Sequence, residues 1–234
     1  MIREMKVFCI GDLHLPGNSD KPMEVFGSAW EEHPKRIERA WRETVDGDDL
    51  VLIPGDVSWA MHLSDAKDDL DYIGALPGKK LILRGNHDYW WNSISKVRAL
   101  LPEGCFALQN DAFTFGDFVI AGSRGWVCPG SAGFSEAEDR AIYERELIRM
   151  GMSLDTARGR GRVIAMLHYP PFNERRMSSG FTELIEKHGV EKVVYGHLHD
   201  KACAGAFEGV RNGVEYYLCS ADHINFAPRL IAQE

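Results

Sequence analysis

With 234 residues, 44% of them hydrophobic, the chain can bury one sizeable core, so a single domain spanning 1–234 is expected rather than two independent ones. A formal charge of -8 offers no surface that would hold a polyanion by charge alone, and nucleic acid is not expected as a partner. The five cysteines (Cys9, Cys105, Cys128, Cys203 and Cys219) are odd in number, widely spaced and lack any Cys-x-x-Cys pair, which argues against a disulfide framework or a thiolate zinc site and fits a reducing compartment.

The stretch from Met1 to Lys6 is too short and too charged, with the apolar run that follows it, to be a signal peptide. No stretch approaches a membrane span, so the chain reads as soluble and cytoplasmic, with no membrane partner. Val7-Phe8-Cys9-Ile10 is the first predicted buried strand, and it runs into Asp12-Leu13-His14. A helix is predicted over Pro34 to Val45, then a strand at Leu50-Val51-Leu52-Ile53 that meets Gly55-Asp56. The next helix is expected over Ser64 to Leu76, with Ser64 as its start. Leu81-Ile82-Leu83 forms a strand leading to Gly85-Asn86-His87-Asp88, and Asn92 to Leu101 a helix. From Cys105 to Gly122 the pattern shortens into alternating strands around a Phe115-Gly116-Asp117 turn. Ser135 to Arg158 is charged and helical in character, closed by Gly159-Arg160-Gly161, and the segment 123–160 is a candidate cap over a site built by the loops. Val163 to Leu167 is a strand ending at His168-Tyr169-Pro170-Pro171, and Phe181 to His188 a helix for which Thr182 would serve as the start. The strand Val193-Val194-Tyr195 then reaches Gly196-His197-Leu198-His199, and Val210 to Ile231 reads as a further hairpin region around Asn212-Gly213.

Alternating strands and helices argue for an α/β fold, and the hairpins for more than one sheet. Each of the five apolar strands is followed within a few residues by a cluster of Asp, Asn or His. Loops beyond the carboxyl ends of strands are where α/β sheets bind ligands, so the five clusters can converge on one place. Residues two apart on an extended strand end point to the same side, which would let Asp12 and His14 share one ion. His197 and His199 have the same spacing, although the turn at Gly196 can direct them to different ions.

Taken in order, Asp-x-His, Gly-Asp, Gly-Asn-His-Asp, a lone His and Gly-His-x-His make the sequence resemble the calcineurin-like metallophosphoesterase family over roughly residues 6 to 200. The resemblance implies two packed mixed β-sheets flanked by helices, a four-layer sandwich. It also implies that Asp12, His14, Asp56 and His199 bind a first metal, and that Asp56, Asn86, His168 and His197 bind a second, with Asp56 bridging. The branch acting on phosphoproteins carries Asp-Arg-Gly after its Gly-Asp and Glu at the fourth position of Gly-Asn-His-Glu. Here Val57-Ser58-Trp59 and Asp88 stand instead, which argues against a protein substrate. The branch acting on a lipid A precursor usually has Arg where this chain has His87.

The expected reaction is hydrolysis of phosphate monoesters or diesters of a small phosphorylated substrate by a metal-bridging hydroxide. Two ions about 3.5 to 4 Å apart address both the anionic target and the poor leaving group. A mixed oxygen and imidazole donor set suits manganese, iron or zinc better than magnesium or calcium. His87, next to Asn86 but not needed as a ligand, is the expected general acid, with Asp88 orienting its ring. Asn86 lies at the substrate as well as at the metal in this scheme, and Arg124 is a candidate phosphate contact or, equally, half of a surface ion pair. Trp90 and Trp91 are expected in the core, His33 and His188 in solvent, and His62 and His223 outside the site. The rival reading is a metal-free scaffold or protein-interaction module on the same fold, and metal content separates the two.

Overall fold

The computed structural model describes residues 4–17 and 23–234; the first residues of the N-terminal stretch, Met1 to Arg3, lie outside it. Among the described residues, eleven strands form two mixed sheets. The first sheet holds β1 (Lys6–Cys9), β2 (Leu50–Ile53), β3 (Lys79–Ile82), β4 (Cys105–Ala107) and β11 (Arg229–Gln233), in the order β11-β1-β2-β3-β4. The second holds β5 (Ala112–Phe115), β6 (Phe118–Ser123), β7 (Arg162–Leu167), β8 (Lys192–Tyr195), β9 (Gly209–Arg211) and β10 (Val214–Leu218), in the order β5-β6-β7-β8-β10-β9. Strands β1 to β4 run parallel, as do β6, β7, β8 and β10, so their carboxyl ends lie along common edges.

Strand periodicity explains how the two sheets stack. Val7, Cys9, Leu50 and Leu52 face inward and meet Ile120, Ile164, Met166 and Val194 of the second sheet. Their neighbours Phe8, Ile10, Val51 and Ile53 face outward, against Ile37 and Trp41 of α1 (His33–Thr44), Leu70 and Ile73 of α2 (Lys67–Gly74) and Val97 of α3 (Ile94–Leu100). On the other side Val119, Ala121, Val163, Ala165 and Val193 pack under α4 (Arg140–Ala157) and α5 (Gly180–Lys187) through Met150, Leu154, Phe181 and Ile185. Runs buried on both faces are apolar at every position, which is why these strands lack polar alternation. The result is the expected four-layer sandwich.

The hairpins form where the turn residues stand: Phe115-Gly116-Asp117 joins β5 to β6, and Asn212-Gly213, with φ of 51° and 80°, joins β9 to β10. Two helix starts differ from expectation. Ser64 bonds its neighbour Asp65 and α2 begins at Lys67 with no side-chain cap. Ser179, not Thr182, caps α5: its hydroxyl accepts from the Phe181 and Thr182 amides while the Thr182 hydroxyl accepts from the Ser179 amide. The segment proposed as a cap divides in two. Helix α4 lies on β6 as part of the outer layer, whereas Val127, Cys128 and Ser131 of the preceding loop line a cleft with Tyr169 and His197. Among the described residues no helix is long and apolar enough to cross a membrane.

Candidate metal centre

The seven residues expected as ligands all follow the carboxyl ends of five parallel strands. Asp12 and His14 follow β1, Asp56 follows β2, Asn86 follows β3, His168 follows β7, and His197 and His199 follow β8. The first sheet therefore supplies the carboxylates and the second supplies three of the imidazoles. The sheets are joined at this edge, where the Gly11 amide donates to the Cys219 carbonyl at 2.7 Å and His168 Nδ1 lies 2.9 Å from the Pro54 carbonyl. That second contact aims His168 Nε2 inward, 2.6 Å from Asn86 Oδ1 and 3.5 Å from Asp56 Oδ2.

Backbone conformation at the centre is unusual for these residue types. Asp12, His14, Asp56 and His197 all have positive φ, at 55°, 44°, 50° and 72°. Left-handed backbone at non-glycine residues costs on the order of 1–3 kcal/mol each and persists only where surroundings impose it. Here the loops lock each other: the Asp12 amide donates to the Gly55 carbonyl and the His14 amide to the Asp56 carbonyl, at 2.9 and 3.0 Å. Two glycines permit the close approach. A Cβ on Gly85 would stand 2.1 Å from Asp56 Oδ1, and one on Gly196 2.2 Å from Asp12 Oδ2.

Asp12, His14 and His199 present ligand atoms within 4.8 Å of one another, and so do Asp12, Asp56 and His168. His14 Nε2 and His199 Nε2 are 3.4 Å apart. Asp56 Oδ2 lies between the two groups, 4.0 Å from His14 Nε2 and 3.5 Å from His168 Nε2. Asn86 Oδ1 faces His168 Nε2, whose proton is absent because Nδ1 donates to the Pro54 carbonyl, so two lone pairs converge there, while the His197 ring stands against Tyr169, with centroids 4.1 Å apart, and 5.0 Å from the His168 ring.

The electrostatics of this donor set fit a cation. Burial pushes Asp12 up to about 8, with Asp56 adding to the effect against the pull of His199, and burial likewise raises Asp56. Burial lowers His14, and takes His168 down to about 3 and His197 to about 2, so these imidazoles are neutral and ready to ligate. Burial also opposes charge on His199, but the bond to Asp222 (2.9 Å) and the nearby Asp12 outweigh it and push its pKa up to about 9. Among the described residues no lysine or arginine pairs with Asp12 or Asp56. Two buried carboxylates without a permanent cation are stabilised by taking up metal ions.

These shifts set a pH dependence. A carboxyl raised from 3.8 to about 8 and an imidazole raised from 6.5 to about 9 hold more protons folded than unfolded, so each loses stabilisation as pH rises towards its folded value. The lowered histidines are deprotonated in both states only from about pH 7.5 upwards, one unit above their free value, and add no slope beyond that point. Chelator-stripped protein is therefore expected to fall in Tm from about pH 7.5 to 9, and saturating metal to flatten that fall. Parallel melting curves check it, and a Tm that climbs through this window in stripped protein would contradict it.

His87 stands outside the cluster, on the wall of a cleft of about 140 Å³ shared with His14, Trp59, Asp56, His197 and His199. Its ring packs on Trp59, with centroids 4.8 Å apart, and its Nδ1 lies 3.4 Å from the Tyr89 hydroxyl, leaving Nε2 for the cleft. Asp88 does not orient that ring, contrary to expectation. Its carboxylate is fully buried and taken by the amides of Asp56 (2.9 Å), Val57 (2.9 Å) and Gly85 (2.7 Å) and by the Trp90 indole (3.0 Å). Asp88 thus clamps the Asp56 loop to the Asn86 loop. Asp88→Asn places an amide N–H₂ among donors, and is expected to lower stability by about 3 kcal/mol or more, read as a shifted denaturant midpoint. A midpoint within error of wild type would remove the clamp role.

Arg124 is neither on the open surface nor in the cluster: it is 17% exposed, 3.7 Å from Glu146, with its guanidinium 4.6 Å over the Trp126 ring. Trp90 and Trp91 are core, as expected. His33, expected in solvent, is buried, and its ring nitrogens lie 3.1 Å from the Trp30 and Leu13 carbonyls, bracing the loop that carries His14. His188 also differs: Nδ1 lies 2.8 Å from the Leu184 carbonyl and its side chain is 6% exposed. His62 is exposed and His223 pairs with Glu208, and neither is among the residues grouped in the cluster. Asp222 was not visible in the sequence as a site residue. It follows β10 without any motif and reaches both His199 Nδ1 and the Asp200 amide.

The chain belongs to the calcineurin-like phosphoesterase family, whose description matches it over residues 5–201. Among curated proteins, none matches it. Crystal structures of similar fold include AQ665, a protein of unknown function from Aquifex aeolicus, with TM-score 0.55 and 15% identity, covering 97% of this chain and 95% of the other. A phosphopantetheinyl hydrolase, PptH, from Mycobacterium tuberculosis has TM-score 0.58 and 14% identity, with coverage of 97% and 96%. TT1561 of Thermus thermophilus has TM-score 0.50 and 15% identity, with coverage of 85% and 84%.

Proposed function

We propose that the chain is a cytoplasmic hydrolase of phosphate monoesters or diesters, working with two divalent transition-metal ions held by Asp12, His14, Asp56, Asn86, His168, His197 and His199. The observation that carries the reading is the pair of buried carboxylates, Asp12 and Asp56, set among the neutral imidazoles of His14, His168 and His197 and the ring of His199, with no lysine or arginine among the described residues paired with them. Ions bound there would supply an activated water and neutralise the phosphoryl oxygens, and the oxygen and imidazole donors favour manganese, iron or zinc.

The chain's own residues do the rest. His87, held by Trp59 and Tyr89, presents Nε2 to the cleft and gives its proton to the leaving oxygen. Asn86 turns Oδ1 towards the unprotonated His168 Nε2, as a fellow ligand would, and offers its N–H₂ group to the substrate. A second cleft of about 400 Å³, walled by Val127, Tyr169, Phe172, Leu198 and Phe207, adjoins His197 and suits the organic part of a small phosphorylated molecule. The hydrolase name of the mycobacterial structure agrees with hydrolysis as the reaction.

Elemental analysis of protein purified without chelator, followed by assays on aryl phosphate mono- and diesters with each metal, tests the proposal. About two ions per chain and metal-dependent turnover are expected. No bound metal, together with no activity on adding manganese, iron or zinc, would favour the scaffold reading.

A further inference from the structure

A small cavity of about 100 Å³ behind the Asn86 loop is lined by Arg84, Arg124, Arg149, Glu146, Asn92 and Gln109. Arg84 follows β3 immediately before Gly85, and Arg124 follows β6, where its carbonyl accepts from the His168 and Tyr169 amides at 3.1 and 2.9 Å. Arg149 and Glu146 come from α4. The cavity therefore shares its main chain with two of the ligand loops while none of the seven proposed ligands lines it.

Its charges do not balance. Three guanidiniums meet one carboxylate, and Glu146 Oε1 alone serves Arg149 at 2.6 Å and Arg124 at 3.7 Å. Arg84 has no hydrogen bond or ion pair among the described residues. The buried Arg84 Nε and Arg124 Nε, both donors, have no acceptor among the described residues, while Glu146 Oε2 lies in the same cavity as its one unpartnered acceptor. Buried donors are satisfied in folded proteins by an acceptor of some kind. The amide groups add donors rather than acceptors: the Gln109 Oε1 already accepts from the Trp91 indole, and the Asn92 Oδ1 from the Ser93 amide. A two-charge excess with converging N–H groups calls for an acceptor-rich anion, and guanidinium forks match tetrahedral oxyanions.

We infer that this cavity is a second anion site, taking a phosphate-sized tetrahedral oxyanion between Arg84, Arg124 and Arg149. The oxyanion comes either from a second phosphoryl group on the substrate or from free inorganic phosphate. The site stands independently of the hydrolase reading, because it needs neither the ions nor turnover.

Inorganic sulfate, titrated calorimetrically into metal-loaded protein at constant ionic strength set by chloride, is the probe. One saturable site is expected, weakened roughly tenfold or more in Arg84→Gln and in Arg149→Gln, with circular dichroism and metal content unchanged. Those substitutions lie on different elements, so misfolding of one does not remove the test. Absence of saturable sulfate binding, or affinity equal to wild type in both variants, overturns the inference, whereas loss of turnover with sulfate binding intact would count only against the hydrolase reading. Kinetics then assigns the source. If Arg84→Gln raises KM for a sugar bisphosphate but not for 4-nitrophenyl phosphate, the site reads the substrate's second phosphoryl group; if it instead changes only inhibition by free phosphate, the site binds the free ion.

Discussion

Asp56→Asn is expected to lose bound metal and turnover together, and by more than the roughly 10- to 100-fold in affinity that removal of an outer partner costs. The carboxylate lies between His14 and His168, one from each geometric group, and is held by the His87 amide at 2.8 Å. Replacing it removes one of the two negative charges in the cluster while leaving the volume unchanged, so the loss reports on charge and ligation rather than on packing. Asn86→Ala removes a neutral donor and is expected to cost less. Metal titrations of both variants, followed by elemental analysis, decide the matter. Equal and mild losses would show that Asp56 does not serve both ions.

His87→Ala is expected to retain both ions and to lose roughly 10²- to 10⁴-fold in turnover, the usual contribution of a positioned proton donor. Retention of metal follows because the link from position 87 to Asp56 is made by the backbone amide, which alanine keeps. The defect should shrink as the leaving group becomes more acidic, since a nitrophenolate needs less protonation than an alkoxide. Tyr89→Phe supplies the control: its hydroxyl lies beside His87 Nδ1, and losing it should give a smaller defect with the same leaving-group trend. If His87→Ala is equally impaired across a series of leaving groups, or loses its ions, it is not the acid.

The proposed ligands are legible because they sit in short motifs directly after apolar runs, so strand periodicity brings the clusters of Asp12, His14, Asp56, Asn86, His168, His197 and His199 to one edge, while their assignment to ions rests on the family resemblance. The supports were hidden because they depend on side chains meeting across long separations. Asp88 reads as a neighbour of His87, yet the tight turn sends its carboxylate back to the amides of the Asp56 loop. Asp222 has no motif at all and becomes recognisable only once β10 returns beside β8. His33 sits in a charged stretch, but α1 begins there and the ring turns into the fold. The Ser179 cap was misplaced by three residues because Thr182, the other half of the same reciprocal pair, has an equally suitable side chain.

The residues after 201, beyond the family match, carry no proposed ligand, yet they close the structure. Strand β11 pairs antiparallel with β1, the Cys219 carbonyl receives the Gly11 amide just before Asp12, and Asp222 braces His199. A polypeptide emerging from the ribosome would thus present every donor atom while β1 still lacks one neighbour and Asp12 one anchor. Contacts of such long sequence separation form late. The proposed metal affinity is accordingly expected to depend on this segment as well as on the donor motifs, because it anchors the loop of Asp12 and braces His199 without supplying a ligand.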